Sequence, residues 1–517
     1  MGTYTLLTRN RHPDGAEADA SHPPAASCGH VAQLTTLHRH APLLMLVPVL
    51  AVFVWMVTCG TGRLFAREDF GQFYDAQARS LLQGRWDVEP ASLRNEAFIR
   101  DGKRYGYFGF VPAVPRMALN RLFPAMEGRW SRLSLTLACA VTLSVLHLLV
   151  LKAGEFFPAS AAVPVRLSVA ARSVFLLSAG LGSTLIFLGS RAYVFHEALI
   201  WGAALALACC YAVMCWLIRP RRWLLVLACA LASAAFFTRA PSGSGAVAAI
   251  GLLGVSALWR RRAWFDAVAP LAAVGLTVAC FVGVNYAKFR TTFEGVPLRM
   301  YSPMIADPAR FANTGGRLMS LANVRSTSLA YFSASSVRVA PSFPWLYLAL
   351  DAAVLPEARL DVIEPFAGMP VAMPALLALA AIGLVVVPHR RATGGATAAL
   401  PVRAVLFGGA TVLAANAISY RYVHDLFPAL VACGAFGLHA VLHIRRPALR
   451  GAILAAALPL VLFGIYANCA FALVFQREMV GGTPAAPARE FRAWRAAVDG
   501  FMSPSPAASS RSEIPPP

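Results

Sequence analysis

The chain has 517 residues, of which 58% are hydrophobic and 14% are charged, and its mean hydropathy is +0.59. These values exclude an ordinary soluble protein and indicate an all-α, polytopic membrane protein. The formal net charge of +21 is spread over the ends of many apolar segments. This placement favours membrane topology and anionic lipid over nucleic acid, so we expect no nucleic-acid partner.

The polar segment 1–41 predicts a disordered cytoplasmic tail. Its histidines among proline and alanine leave a metal site as the less favoured alternative; they are His12, His22, His30, His38 and His40. Nine of the ten cysteines lie in apolar segments without the spacing of metal ligands. We therefore predict small buried hydrophobic side chains there and no metal ligands.

Apolar runs long enough to cross a bilayer recur along the chain, since a span needs about 20 such residues. We predict eleven transmembrane helices, at residues 42–59, 133–151, 173–189, 197–218, 223–237, 243–259, 266–286, 367–387, 402–418, 425–443 and 450–475. The stretch 341–355 is too short, is bounded by prolines and carries Asp351. It favours a re-entrant or interfacial segment.

Basic residues predict the orientation of these helices, because cytoplasmic loops carry an excess of Lys and Arg. The strongly basic segments are residues 152–172, 219–222, 260–262, 389–391 and 445–450. They alternate with short connections that carry a single arginine each. This pattern predicts an N-terminus inside, a C-terminus outside and a multi-pass protein of the bacterial inner (plasma) membrane.

Three parts follow from this topology. Residues 1–41 are the tail, 42–475 the transmembrane domain, and 476–517 a mostly disordered extracytoplasmic tail with an amphipathic stretch at 489–501. The transmembrane domain carries two long outer loops, 60–132 and 287–340. Their aromatic and proline content predicts an ordered cap in which the two loops pack together with short surface helices.

The first outer loop soon reads REDFGQFYDAQARSLLQGRWDVEP (residues 67–90). Glu68 and Asp69 thus lie just outside the first span. Residues 73–83 have a helical pattern that suits a helix along the membrane surface. An aromatic, Gly- and Pro-rich stretch follows, including YFGFVPA at 107–113.

The acidic residue after the first span, followed by an A-R-x-L-L-x-G-x-W helix, resembles the GT-C glycosyltransferases. That superfamily includes protein O-mannosyltransferases and lipid A aminoarabinose transferases. The matching residues are Asp69, Ala78, Arg79, Leu81, Leu82, Gly84 and Trp86. YFGFVPA is similar to uncharacterised actinobacterial-type members, and SYRYVHDLFPAL (residues 419–430) resembles a late R-Y…P segment. The resemblance implies an enzyme that uses a polyprenyl-phosphate sugar, with its active site facing outside.

A carboxylate base is the first requirement of such chemistry, because one inverting step must deprotonate the acceptor hydroxyl. Asp69 is our candidate and Glu68 the second. The family often reads Asp-Glu at this site, whereas this chain reads Glu68-Asp69, so the choice between them stays open. The alternative is structural, with these acids paired to Arg63 or Arg67.

Positive charge to stabilise the departing phosphate is the second requirement. Arg421, His424, Arg239 and Lys288 lie at outer span ends, and arginine suits phosphate because its fork is bidentate. The alternative for Lys288 and Arg239 is snorkelling to lipid headgroups.

Four further residues, near the same face, are assigned to the acceptor or to support of the site: Glu197, His196, Tyr107 and Tyr422. Glu197 could instead form a salt bridge with Arg191, a structural role.

The sequence has no Walker loop, no strand-linked G-x-G-x-x-G, no serine nucleophile elbow and no zinc spacing. The predicted inner loops are too short for a nucleotide-sugar domain, which favours a lipid-linked donor and an envelope glycan or protein as acceptor. No cofactor is certain, and a divalent cation is left open. The main alternative is a flippase or transporter for a lipid or lipid-linked sugar, followed by a non-catalytic assembly partner. Transporters favour internal repeats and midplane charges, and neither is evident.

Overall fold

A computed structural model describes residues 38–158, 163–261, 263–392, 397–480 and 484–502. The predictions for the tail through residue 37 lie outside these ranges. The chain divides into two compact units, residues 1–41 and 42–517, and everything below concerns the second.

The second unit is built almost entirely of helices. Its first ten α-helices are α1 (Leu46–Val57), α2 (Phe73–Leu82), α3 (Pro90–Leu93), α4 (Ala113–Leu122), α5 (Ser131–Gly154), α6 (Val165–Leu181), α7 (Thr184–Leu188), α8 (Val194–Ile218), α9 (Arg222–Phe236) and α10 (Ala240–Trp259). The next are α11 (Trp264–Phe289), α12 (Ser302–Ala306), α13 (Pro308–Thr314), α14 (Val324–Phe332), α15 (Met369–Ala372), α16 (Pro374–Val386), α17 (Ala399–Ala410), α18 (Phe427–Leu442), α19 (Pro447–Val474) and α20 (Ala485–Met502).

Short 3-10 segments extend or link these helices, at Ala41–Met45, Arg94–Glu96, Pro124–Met126, Leu298–Met300, Leu321–Asn323, Val387–His389, Thr411–Ala414 and Tyr420–Leu426; a π turn, Phe475–Met479, follows α19.

Six very short strands form three two-stranded pairs. They are β1 (Phe98–Arg100), β2 (Lys103–Tyr105), β3 (Arg338–Val339), β4 (Leu346–Tyr347), β5 (Val362–Ile363) and β6 (Ala417–Ile418). β1 with β2 and β3 with β4 are antiparallel. β5 and β6 are parallel, with Val362 opposite Ala417. This last pair joins two distant parts of the chain.

Helical structure lies within each of the eleven predicted spans. Within the described ranges, eight are long and apolar enough to cross a membrane: His38–Val57, Ser131–Gly154, Val165–Leu188, Val194–Ile218, Ala240–Trp259, Trp264–Phe289, Tyr420–Leu442 and Pro447–Met479. Three more are apolar but shorter: Arg222–Phe236, Pro374–His389 and Ala399–Ala414. The polytopic helical fold is therefore confirmed, and the count of eleven crossings stays a prediction.

Some predicted boundaries are wrong. The span at 402–418 ends early, because residues 417–418 form β6. The span at 173–189 begins eight residues sooner and breaks at Ser183, whose hydroxyl caps α7 by accepting from the Leu185 amide at 3.1 Å. Residues 341–355 form no helix and contain β4.

Glycines let several helices touch backbone to backbone. A side-chain carbon on Gly437 would overlap the Leu379 carbonyl of α16, and one on Gly383 would overlap the Cys433 carbonyl of α18. Small residues permit this close approach in helical membrane proteins. α18 is the most enclosed of the long helices, whereas α11 is largely exposed along its length.

The two long outer loops pack against each other, as predicted. Phe98 pairs with Tyr301 through a β-bridge, and their rings stack with centroids 5.0 Å apart. The Ser302 amide donates to the Ala97 carbonyl at 2.9 Å. α2 is packed inside the protein, and its expected position along the membrane surface stays a prediction. Seven of its ten residues are buried, because α4 and the chain after β2 cover it.

Candidate functional site

Glu68 lies in a closed, buried ion cluster. One carboxylate oxygen accepts from Arg132 at 2.8 Å and the other from Arg191 at 2.7 Å. Its side chain is 3% exposed. The expected partners Arg63 and Arg67 are therefore wrong for Glu68. With both oxygens held by guanidinium groups, the arrangement is that of a structural link between the first outer loop, α5 and the turn before α8.

A second closed cluster surrounds Arg116, in α4. Its guanidinium donates to Asp75 of α2 at 2.5 Å and to Glu197 of α8 at 2.7 Å. Ser134 also donates to Glu197, at 2.6 Å. The predicted Glu197–Arg191 bridge is wrong, because Arg191 is held by Glu68 instead. All three charged side chains are buried. Glu197 is thus directed toward α4, in a supporting position.

Arg421 lies in a more open cluster. It donates to Glu364 at 2.7 Å, and its guanidinium carbon stacks 4.1 Å from the Phe195 ring centroid. The β5–β6 pair fixes this contact, since the Glu364 amide donates to Ile418 at 2.8 Å. The Glu364 side chain is 31% exposed, so the pair remains accessible to solvent.

Glu96 adds a second carboxylate near Arg421. It accepts a 2.8 Å hydrogen bond from the Tyr301 hydroxyl in the other outer loop. Burial is the largest influence on the pKa of Glu96 and raises it, and the nearby Glu364 raises it too. Arg421 and the Tyr301 hydrogen bond lower that pKa by less, so the net shift is upward. A carboxylate shifted in this way is a stronger base than a solvated one.

Arg239 lies beside this cluster. Its guanidinium pairs with Asp425 at 2.6 Å, and Asp425 also accepts from Ser242 at 2.7 Å. Arg239 lies 5.5 Å from the Tyr422 ring centroid, and Arg421 lies 5.3 Å from the same ring. The structure thus brings two of the four predicted phosphate-binding residues to one tyrosine.

Two sets of contacts connect Asp69 with the surroundings of Arg421. It forms an ion pair with Arg94, the first residue of the turn that carries Glu96. Its neighbour Phe70 lies 5.9 Å from Phe195, the ring on which Arg421 stacks. Arg94 is not a partner expected from the sequence. The Asp69 side chain is 27% exposed, unlike that of Glu68. A shared cavity of Asp69 and Arg421 stays a prediction.

Lys288 contacts the backbone of the first outer loop, and Tyr107 is part of that loop. The Lys288 ammonium is buried and donates to the Gly106 carbonyl at 3.0 Å. Snorkelling does not describe it, since its amine is turned into the protein. Tyr107 packs against Phe98 with ring centroids 5.8 Å apart. Burial, its largest influence, raises the pKa of the Tyr107 phenol well above its ordinary value.

The two predicted histidines lie deeper than the arginines. His424 is hydrogen-bonded through Nδ1 to Thr184 at 2.9 Å, and His196 through Nδ1 to the Arg191 carbonyl at 2.7 Å. Both rings are completely buried. Thr184 and the Arg191 carbonyl hold these rings in place, which suits support of neighbouring residues more than contact with a substrate.

Sequence reasoning missed Glu96, Glu364, Tyr301, Asp75 and Arg116. Glu96 and Glu364 lie in short irregular segments without a recognisable motif. The sequence did contain a signal for Asp75, because this acid lies in the helical stretch 73–83 among residues that favour burial. A charge in an apolar helical pattern needs a buried partner, which Arg116 supplies.

The described residues contain no group of three or more His, Cys, Asp or Glu side chains that could hold a metal ion. The carboxylates of the site are instead engaged with arginines or tyrosine. Chemically, the arrangement offers two guanidinium groups for an anion, carboxylates for a proton, and aromatic rings for an apolar or sugar face.

No family model and no curated protein matches the chain. Several solved structures are similar to it, among them the following three. The apo oligosaccharyltransferase of Archaeoglobus fulgidus has 11% identity and a TM-score of 0.45, covering 92% of this chain and 62% of that one. Archaeal AglB from the same organism, in complex with an inhibitory peptide and a dolichol-phosphate, has 12% identity and a TM-score of 0.43, covering 93% and 62%.

The third is ArnT from Cupriavidus metallidurans bound to undecaprenyl phosphate. It has 13% identity and a TM-score of 0.41, covering 89% of this chain and 70% of that one. AglB and ArnT are GT-C polytopic glycosyltransferases. This chain spans about three-fifths of the length of the archaeal proteins. The activity of this chain is therefore argued from its own residues.

Proposed function

We propose that the chain is a membrane glycosyltransferase of GT-C type, which moves a sugar from a polyprenyl-phosphate donor to an extracytoplasmic acceptor in one inverting step. The observation that carries the proposal is the open cluster of Arg421, Glu364, Glu96 and Tyr422 beside Arg239. It combines two guanidinium groups beside the same tyrosine ring with the partly exposed carboxylate of Glu364.

Arg421 and Arg239 are the proposed holders of the donor phosphate. Arg421 follows β6 at the start of the Tyr420–Leu442 helix, and Arg239 precedes α10. Side chains at the ends of spans lie at headgroup depth, where the phosphate of a membrane lipid also lies. In the transition state they would stabilise the negative charge that develops as the phosphate leaves.

The base is proposed to be Asp69 or Glu96. Glu68 fits poorly, because both of its oxygens are held by arginines. Asp69 has a single partner and is partly exposed, whereas Glu96 has a raised pKa and lies near Arg421. In either case the carboxylate takes the acceptor proton while the acceptor oxygen attacks the anomeric carbon and the phosphate departs.

The alternation of basic loops supports an active site on the outer face of a bacterial plasma membrane. The acceptor is proposed to be an envelope glycan or protein, with Tyr107 and Tyr422 contributing to its support. The assay tests whether a divalent cation is needed.

Membranes that contain the protein should transfer label from radiolabelled polyprenyl-phosphate sugars to endogenous envelope material, with and without added divalent cation. Removing a general base should lower the rate by about 10²–10⁴-fold. Comparing Asp69→Asn with Glu96→Gln therefore assigns the base. Glu89→Gln is a matched control, since Glu89 is exposed and pairs only with Arg79.

The same preparation separates a transferase from a flippase. A flippase would move labelled donor across the bilayer of proteoliposomes without forming glycosylated product. Product formation unchanged in both Asp69→Asn and Glu96→Gln would contradict the proposed chemistry.

A further inference from the structure

The C-terminal helix α20 is docked along one face only. Phe491 is completely buried, and Arg495 donates to the Phe343 carbonyl at 2.7 Å. Asp499 accepts from the Phe343 amide, also at 2.7 Å. These three residues are spaced four apart, so they lie on one side of the helix. That side clamps the loop before β4.

The neighbouring face of α20 exposes two large aromatic side chains, with Glu490 one turn before the first of them. Trp494 and Phe501 lie seven residues apart and therefore on the same side of the helix. Trp494 is 37% exposed and Phe501 is 87% exposed. Large aromatic side chains left this open indicate a surface that meets something apolar.

The remaining face is polar. Arg489, Arg492 and Ala496 are exposed and lie on the side of the helix opposite Trp494 and Phe501. A helix with one docked, one aromatic and one basic face has the pattern of a helix that lies in a membrane–water interface.

Two contacts place the aromatic face at the depth where spans end. Trp494 stacks on Trp55, with ring centroids 6.4 Å apart and planes at 16°. Trp55 is itself 38% exposed and lies two residues before the end of α1. The helix also begins shortly after the Pro447–Met479 span, and its Arg495 pairs with Glu478 in the last turn of that span.

We propose that α20 lies in the interfacial layer of the outer leaflet, with Trp494 and Phe501 among the lipid acyl chains and Arg489 and Arg492 at anionic headgroups. Tryptophan is enriched at this depth because its ring is apolar and its N–H can meet water. The occupant of the exposed face is thus lipid. This proposal does not depend on the enzymatic activity.

Cysteines introduced at exposed positions report the surroundings of the two exposed faces. Cys28 of the polar N-terminal segment and the exposed Cys280 are first replaced by Ser, and a fluorescent NBD label is attached to Phe501→Cys or to the matched control Ala496→Cys. The full-length proteins are reconstituted in nanodiscs of phosphatidylcholine and phosphatidylglycerol. The protein with both replacements and no added cysteine gives the background from the buried cysteines.

We expect the label at position 501 to be blue-shifted and to lose fluorescence with lipids that carry a shallow doxyl quencher. The label at position 496 should respond to aqueous iodide instead. Adding Trp494→Ser to Phe501→Cys should increase iodide quenching at 501, because the neighbouring anchor is lost. Iodide quenching at both positions, or stronger quenching at 501 by deep than by shallow doxyl groups, would overturn the proposal.

Discussion

Arg116 and Arg421 each stand at the centre of a charged cluster, yet their surroundings differ. Arg116 is buried with Asp75 and Glu197, and its guanidinium has a carboxylate at each end. Arg421 has one direct carboxylate partner, and that partner, Glu364, is about a third exposed. The first arrangement is complete without a ligand. The second is partly open to solvent.

This difference separates stability from chemistry. A fully buried ion network is costly to break, because removing one member leaves an unpaired charge in a low-dielectric interior. A partly open group with shifted pKa neighbours is instead the kind found in functional sites. The two clusters therefore predict opposite responses to substitution.

The largest effect is expected for Arg116→Ala. Breaking a buried pair by removing one partner costs about 3–5 kcal/mol, and here two carboxylates lose their partner. Thermal unfolding in detergent should show a large drop in midpoint, or the protein should fail to accumulate. Arg121→Ala, on the exposed side of the same helix, should change stability by less than about 0.5 kcal/mol. Similar unfolding midpoints for Arg116→Ala and Arg121→Ala would contradict the structural role proposed for the Arg116 cluster.

Substitution of Arg421 should affect transfer more than folding. Loss of a group that stabilises transition-state charge lowers a rate by about 10²–10³-fold, which is the expectation for Arg421→Ala. Arg421→Lys keeps the charge and loses the fork, so its effect should be smaller. Transfer assays paired with thermal midpoints test this, and a stability loss equal to that of Arg116→Ala would contradict it.

The smallest effect concerns Glu96 and pH. Because its folded-state pKa is raised, its contribution to stability is present below the unfolded pKa of about 4.3 and is lost as the pH rises through the folded pKa. Glu96→Gln has no carboxylate to ionise at this position, so it does not lose stability as the pH rises. Relative to the parent, its free energy of unfolding should therefore increase between mildly acidic and neutral pH. Unfolding midpoints measured across that range would contradict the assignment if the difference stayed constant.

The helical membrane fold was predictable because apolar runs and their basic ends follow from the bilayer itself. Arg421, Arg239 and Tyr422 were also predictable as neighbours, since each lies at a span end on the face that the sequence predicts to be outer. The partners of Glu68 and Asp69 were not. Nearby arginines in sequence were the simplest expectation, but the chain brings in Arg132, Arg191 and Arg94 from other elements.

Glu96 and Glu364 escaped prediction for a physical reason. Each is positioned by tertiary contacts, Glu96 by the Tyr301 hydroxyl and Glu364 by the β5–β6 pair. Two-residue strands and three-residue turns have no periodicity to detect. Their placement depends on contacts that only the folded chain provides.

The contacts that build the open cluster also set an order for biogenesis. Glu96 and Tyr301 are 205 residues apart, and Arg239 and Asp425 are 186 apart. Contacts of such long range form late, because the intervening chain must first be placed. A nascent chain inserted only through α11 would carry Glu96 and Arg239 without Arg421 or Asp425. Such an intermediate would hold these two charged groups uncompensated at the membrane surface until the Tyr420–Leu442 helix was inserted.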